Sequence, residues 1–67
     1  MKKYLEFKNS LSNKFWEINF KDKQVVTKFG KIGIQNPASI INNFSSKEEA
    51  KKYTDSKIKQ KINKGYI

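Results

Sequence analysis

The sequence predicts an α+β fold, a small antiparallel sheet of about four strands followed by one C-terminal helix packed on it. Over the first two-thirds of the chain, apolar residues recur with a period of two, and over the last third with a period of about 3.6. The chain has 67 residues, about half of a common domain length. We therefore expect residues 1–67 to form a single domain.

Alternating apolar residues predict the first two strands. Tyr4–Lys8 places its apolar side chains Leu5 and Phe7 on one face, and Asn and Ser residues that favour turns follow it. The second strand, Phe15–Phe20, has three large apolar residues on one face, which we assign to the core: Trp16, Ile18 and Phe20.

Two further strands follow a polar hairpin loop at residues 21–23. Gln24–Ile34 is predicted as the third strand, although neither of its faces is uniformly apolar, which indicates a bulge or bend near Gly30 or Gly33. Pro37 breaks the pattern, and Ser39–Phe44 is predicted as a shorter fourth strand. Sequential strands joined by short loops tend to pair, so we expect a meander.

A capping box at Ser46 predicts the start of the helix. Its hydroxyl can accept a hydrogen bond from the Glu49 amide, and the Glu49 carboxylate can reach back to Ser46. Gly65 stands where a C′ glycine ends a helix. One broad stripe of the helix should lie across the sheet: Ala50, Tyr53, Thr54, Ile58 and Lys61, with Ile62 at its border. We expect the stem of Lys61 to pack while its ammonium reaches the edge, with a phosphate contact as the functional alternative.

Composition excludes several kinds of chemistry. The chain has neither cysteine nor histidine, which removes disulfides, the common zinc, copper and non-haem iron ligand sets, and Ser-His or Cys-His nucleophiles. The six carboxylates form no cluster that the sequence reveals. We therefore expect a protein that is not an enzyme, with no cofactor, no metal and no small-molecule substrate.

The balance of charge favours an acidic partner. Fifteen basic residues, all lysine, against six acidic ones give a net charge of +9, which suits DNA, RNA or an anionic surface. Part of this excess reflects a composition rich in Lys, Asn and Ile, whose codons are AT-rich. No run approaches the ~20 apolar residues of a membrane span, and the N-terminus has no apolar signal-peptide core. We expect a cytoplasmic protein without a membrane partner.

Four segments carry a resemblance to a known family: Phe15–Ile18, Thr27–Gly33, Phe44–Ala50 and Lys61–Tyr66. In this order and spacing they resemble the WGR domain, which is named for a Trp-Gly-Arg triplet on a strand. WGR domains occur in poly(ADP-ribose) polymerases, where they contact DNA near a break and help to relay that contact to the catalytic domain. They also occur in bacterial proteins that resemble a molybdate metabolism regulator. The resemblance implies a bacterial, non-catalytic module that binds nucleic acid or another domain.

The triplet itself departs from the family pattern, because it reads Phe29-Gly30-Lys31 here. The Gly-Gln pair that often follows it is replaced by Ile34-Gln35. Phe29 keeps a flat face for stacking but lacks the indole N–H, and Lys31 keeps the charge but lacks the planar fork of arginine. Because residues 29 and 31 share a face of the strand, they have the elements of a stacking-plus-phosphate site.

The predicted nucleic-acid-binding residues are one aromatic and five basic side chains: Phe29, Lys31, Lys28, Lys14, Lys61 and Lys64. The structural alternative makes Phe29 a core aromatic and the lysines ordinary surface charges. The leading function is DNA binding at ends or single-stranded junctions. The main alternative is a protein–protein or interdomain docking module with no specific nucleic-acid role; an RNA-binding sheet and a membrane-surface helix fit the pattern less well.

Overall fold

The computed structural model describes residues 1–67 as four strands and one helix. The strands are β1 (Lys2–Lys8), β2 (Asn13–Lys21), β3 (Gln24–Lys31) and β4 (Ala38–Asn43), and helix α1 is Lys47–Asn63. They form one open antiparallel sheet in the order β1-β2-β3-β4, with α1 across one face. This confirms the predicted α+β meander with a C-terminal helix. Helix α1 is neither long nor apolar enough to cross a lipid bilayer.

Local hydrogen bonds explain the two tight connections. Between β1 and β2, the Asn9 side-chain oxygen accepts from the backbone N–H groups of Leu11 (2.8 Å) and Ser12 (2.6 Å), an Asx turn. Between β2 and β3, Lys21 pairs with Gln24, so the loop contains two residues, and Asp22 adopts a φ of 57°. Aspartate tolerates this left-handed conformation better than most residues.

Strand β3 is shorter than predicted, because it ends at Lys31 and not at Ile34. The Ile34 N–H turns back to the Lys31 carbonyl (3.1 Å), and Gly33 has a φ of 90°. The predicted bend is therefore a turn at Gly33. Pairing of β3 with β2 and β4 runs in one continuous register, so no bulge interrupts the strand.

The core lies between α1 and the sheet face that carries alternate residues of β1, β2 and β3. Cross-strand pairs such as Leu5 with Trp16 place these side chains on the same face. The buried apolar residues are Leu5, Trp16, Ile18, Val25, Ala50 and Tyr66, with Phe20 packed against them. The assignment of Trp16 and Ile18 to the core is thus confirmed.

Helix α1 begins as predicted, with one change in its cap. The Ser46 hydroxyl accepts a hydrogen bond from the Glu49 amide at 3.1 Å. The Glu49 carboxylate instead accepts from the Ser45 hydroxyl at 2.5 Å, so the reciprocal half of the capping box involves the neighbouring residue. Ala50 and Thr54 are buried on the predicted stripe, and the Thr54 hydroxyl is satisfied by the Ala50 carbonyl at 2.9 Å.

The helix ends in a Schellman motif that returns the chain to the sheet. Gly65, with a φ of 103°, donates to the Ile62 carbonyl at 3.0 Å, and Tyr66 donates to the Lys61 carbonyl at 3.0 Å. Tyr66 is consequently buried, and Ile67 exchanges backbone hydrogen bonds of 2.7 and 2.8 Å with Glu6 of β1. The reversal places the Tyr66 ring opposite the C-terminal half of α1.

Candidate functional site

A groove of about 510 Å³ opens between the C-terminal half of α1 and the adjoining part of the sheet. Strands β2 and β3 form its floor, α1 forms one wall, and Tyr66 closes one end. Five lysines line it: Lys14, Lys31, Lys57, Lys61 and Lys64. Five aromatic residues lie among them: Phe15, Trp16, Phe29, Tyr53 and Tyr66. We call this feature the basic groove.

Sheet register and helix geometry bring the five ammonium groups together. Lys14 of β2 pairs directly with Lys31 of β3, so the two side chains emerge on the same face. Lys57, Lys61 and Lys64 are spaced by four and three residues, which places them on one side of α1. Like charges placed opposite one another destabilise a sheet, so packing alone gives no reason for this arrangement.

The basic groove has no acidic lining residue. The ion pairs of the protein lie elsewhere: Lys2 with Glu17 (3.8 Å), Lys8 with Glu6 (3.4 Å) and Lys51 with Asp55 (3.1 Å). None of the five groove ammoniums has a carboxylate within ion-pair distance. The groove is therefore a concave surface of unbalanced positive charge, which concentrates anions.

Aromatic rings lie beside three of the ammoniums, and two of these share the Tyr66 ring. The Lys61 Nζ lies 5.7 Å from the centroid of the Trp16 ring and 5.1 Å from that of Tyr66. The Lys14 Nζ lies 5.8 Å from the same Tyr66 ring and 5.2 Å from the ring of Phe7. These cation–π contacts fix the position of the charges but do not neutralise them. Tyr66 thus orients one ammonium from the sheet and one from the helix.

Lys61 has the most perturbed environment of the five lysines. Burial lowers the pKa of its ammonium below the ordinary value, and repulsion lowers it further through three neighbouring ammoniums, those of Lys64, Lys14 and Lys57. Both effects disfavour the charged form. A bound anion would oppose them, because it would supply the missing counter-charge.

Phe29 lies beside the buried Trp16 and is itself partly open. The two residues are paired across β2 and β3 and so share the groove face. Trp16 is only 4% exposed, whereas Phe29 is 37% exposed and stands outside the core cluster. Part of the flat Phe29 ring is therefore accessible at the groove, next to the half-exposed Ile40.

The structure brings together five of the six residues predicted from the sequence. Phe29, Lys31, Lys14, Lys61 and Lys64 line the basic groove. Lys28 does not, because it projects from the opposite sheet face, where its cross-strand partner is Glu17. The sequence prediction missed four lining residues on or after α1: Tyr53, Lys57, Gln60 and Tyr66. The first three of these, with Lys61 and Lys64, follow one helical stripe, which was a usable signal, whereas Tyr66 lies beyond the helix end.

The groove offers binding groups more than reactive ones. No three side chains of the His, Cys, Asp or Glu types lie together as metal ligands would. The available groups are ammoniums, one amide and aromatic faces, which suit phosphate oxygens and flat rings.

Comparison with known proteins agrees with this fold. A family model described as the WGR domain matches residues 1–67. The crystal structure of a Bacteroides fragilis protein is similar to the chain, with a TM-score of 0.95 and 36% sequence identity. That similarity covers 100% of this chain and 19% of the B. fragilis protein, so the chain spans about a fifth of its length. None of the curated proteins matches the chain.

Proposed function

Because the chain belongs to the WGR domain family, we propose that it is a non-catalytic module that binds nucleic acid, DNA in preference to RNA, through the basic groove. The family model and the fold confirm the resemblance drawn from the sequence. The preference for DNA rests on that resemblance, because the poly(ADP-ribose) polymerases that carry this domain use it near DNA breaks.

One observation supports the proposal above all: five lysines converge in one groove that has no acidic lining residue. A phosphate backbone supplies the counter-charges that the protein lacks there. Each lysine that contacts a duplex phosphate releases condensed cations, and the logarithm of the binding constant then falls with the logarithm of salt concentration by about 0.9 per contact. Binding through this groove is accordingly expected to be strongly dependent on salt.

The accessible ring of Phe29 favours contact at a DNA end. Within a duplex the faces of the bases are covered by their neighbours, whereas a terminal base pair or an unpaired nucleotide exposes a flat surface. An aromatic ring stacked on such a surface contributes about 1–3 kcal/mol. In this proposal Phe29 stacks on the terminal nucleotide, and Lys31, beyond it on the same face, contacts the adjacent phosphate.

The experiment is a titration of a fluorescently labelled blunt duplex at about 50 and 200 mM salt. Wild type is compared with Phe29→Ala/Lys31→Ala and with Lys28→Ala. The Lys28 variant is the matched control, because it removes a lysine from the same strand but from the opposite face. We expect salt-sensitive binding by wild type, a loss of tenfold or more in the double variant, and almost no loss in the control. A duplex closed by hairpins at both ends should bind more weakly than the blunt one.

Equal binding by wild type and the folded double variant would contradict the proposal, as would no binding at low salt. Either result would favour the alternative function, in which the same sheet face docks on a protein or on another domain. Equal loss in Lys28→Ala and in the Phe29→Ala/Lys31→Ala variant would instead indicate attraction to the whole charged surface, without a defined groove.

A further inference from the structure

Strand β4 forms an edge of the sheet that lacks the usual protection. Each of β1, β2 and β3 contains at least two lysines, whereas β4 reads Ala-Ser-Ile-Ile-Asn-Asn and carries no charge. Natural edge strands are commonly protected by lysine, proline, a bulge or a covering segment, because their unpaired backbone groups are a template for another strand. The opposite edge, β1, has three lysines and is partly covered by Ile67. Only the outer edge of β4 is both uncharged and uncovered.

The backbone of β4 presents a regular row of free hydrogen-bonding groups. Just beyond β4, the Phe44 N–H donates to the Lys23 carbonyl at 2.8 Å. Hydrogen-bonded positions alternate along an antiparallel pair, so Ile40 and Asn42 direct their backbone groups towards β3. The N–H and C=O groups of Ser39, Ile41 and Asn43 therefore point outwards, away from the sheet.

The two sides of this edge differ in chemistry. Ile41, 58% exposed, lies on the open sheet face beside its partner Val26. Ile40 lies on the other face, where it lines the basic groove together with Lys57. A strand added to β4 would place alternate side chains beside Ile41 and beside Lys57.

The net charge of the protein indicates which partner would bind the outer edge of β4. A second copy of the chain would bring two molecules of net charge +9 edge to edge, which is unfavourable. An acidic segment has the complementary charge. We propose that the outer edge of β4 binds an extended acidic peptide as a fifth, antiparallel strand, with Asp or Glu side chains towards the groove and β-branched apolar side chains beside Ile41. This site borders the groove at Ile40 and Lys57, but its backbone hydrogen bonds do not depend on the proposed function.

The probe is a labelled eight-residue peptide that alternates Glu and Val. In an antiparallel pair, directly opposed residues share a face, and every second opposed pair exchanges both backbone hydrogen bonds. The Val residues, opposite Ser39, Ile41 and Asn43, therefore donate their N–H groups to β4, while the N–H groups of the Glu residues point to solvent. We expect N-methylation of the Val amides to weaken binding at least tenfold and N-methylation of the Glu amides to leave binding almost unchanged.

Two measurements on the protein complement the peptide series. Bound peptide should slow hydrogen exchange of the Ser39, Ile41 and Asn43 amides, which are free beforehand, more than that of Ile40 and Asn42. The variant Ile41→Pro removes one outward N–H at an edge position where proline is tolerated, and Ile41→Thr retains it. We expect only Ile41→Pro to lose peptide binding tenfold or more, while its circular dichroism spectrum and its duplex binding stay close to those of wild type.

Several outcomes would overturn the inference. Equal binding of the two N-methylated peptides, or binding without protection of the Ile41 amide, would exclude strand addition. Equal binding of a peptide with Lys in place of Glu would exclude the charge argument. Protection of the Ile41 amide that rises with protein concentration in the absence of peptide would assign the edge to a second copy.

Discussion

The ammonium group of Lys61 lies 5.7 Å from the centre of the buried Trp16 ring, although three other ammoniums surround it. A helix residue, a strand residue and the Tyr66 ring that follows the Schellman turn therefore meet around one charge. Burial and repulsion disfavour this charge, and only the aromatic faces oppose them within the protein.

Replacing Lys61 with methionine should separate stability from binding. Lys61→Met keeps an unbranched stem against Trp16 but removes the disfavoured ammonium. We expect the free energy of unfolding to rise by up to about 0.5 kcal/mol, the range common for partly exposed positions. The affinity for duplex DNA should fall about tenfold, since a hydrogen bond to a charged group contributes roughly 1.5 kcal/mol. Urea denaturation and DNA titration measure the two effects. A clear loss of stability with unchanged binding would make Lys61 a structural residue.

Binding should also depend on pH through Lys61. The free protein has a lowered pKa at this ammonium, and a phosphate partner raises it again. Below the free-state pKa, Lys61 is charged in both states and contributes no pH dependence. Above it, binding requires uptake of a proton, so affinity declines as pH rises. In titrations at rising pH below the ordinary lysine pKa, we expect wild type to lose affinity more steeply than Lys61→Arg, because arginine stays charged throughout. Parallel pH profiles would show that Lys61 does not contact the anion.

Lys57, which the sequence prediction missed, should act as a phosphate contact. It lines the basic groove, whereas Lys59, two residues further along α1, is exposed and does not line it. The two substitutions to alanine remove equal charge from the same part of the helix. Lys57→Ala should reduce the salt slope of DNA binding by about 0.9, and Lys59→Ala should leave it almost unchanged. Equal slopes in both variants would place the DNA outside the groove.

The Schellman glycine should matter more than the turn glycine after β3. A Cβ on Gly65 would lie 3.1 Å from Cε2 of Phe7, whereas a Cβ on Gly33 would meet nothing within 4 Å. Both residues have positive φ, which costs an L-residue about 1–2 kcal/mol. Gly65→Ala must also displace the Phe7 ring, so we expect a loss of about 2 kcal/mol against about 1 kcal/mol for Gly33→Ala. Urea midpoints measure both. A larger effect at Gly33 would contradict this account of the helix end.

Most of the fold could be predicted because local signals and packing agree in this chain. Alternation located four strands, Ser46 located the helix start, and Gly65 located its end. The predicted ends of the strands were less accurate, because pairing with the neighbouring strand determines where a strand begins and ends. Lys2 and Lys3 extend β1 since they pair with Asn19 and Ile18 of β2. The apolar Ile32 and Ile34 do not extend β3, because its pairing with β2 stops at Lys31 and the chain then turns at Gly33.

On the strands, the candidate site was predicted where alternation decides the face to which a side chain points. Phe29 and Lys31 share a face with Thr27 for that reason, and the structure places both in the groove. Lys57 was missed because the side chains that a helix directs towards a sheet depend on how all of its packed residues fit together. Lys28 was included on charge alone, although its parity already directed it to the other face.

The basic groove joins parts of the chain that are far apart in sequence. Lys14 and Trp16 come from β2, whereas Lys61 and Tyr66 come from the end of α1 and the turn after it. Contacts between residues so far apart in sequence close large loops. The entropy lost in closing these loops opposes the contacts and slows folding. A nucleic acid bound across the groove would hold these segments together, since it stabilises the native state by RT ln(1 + L/Kd), where L is its free concentration. Binding would thus reinforce a contact between segments that lie far apart in the chain.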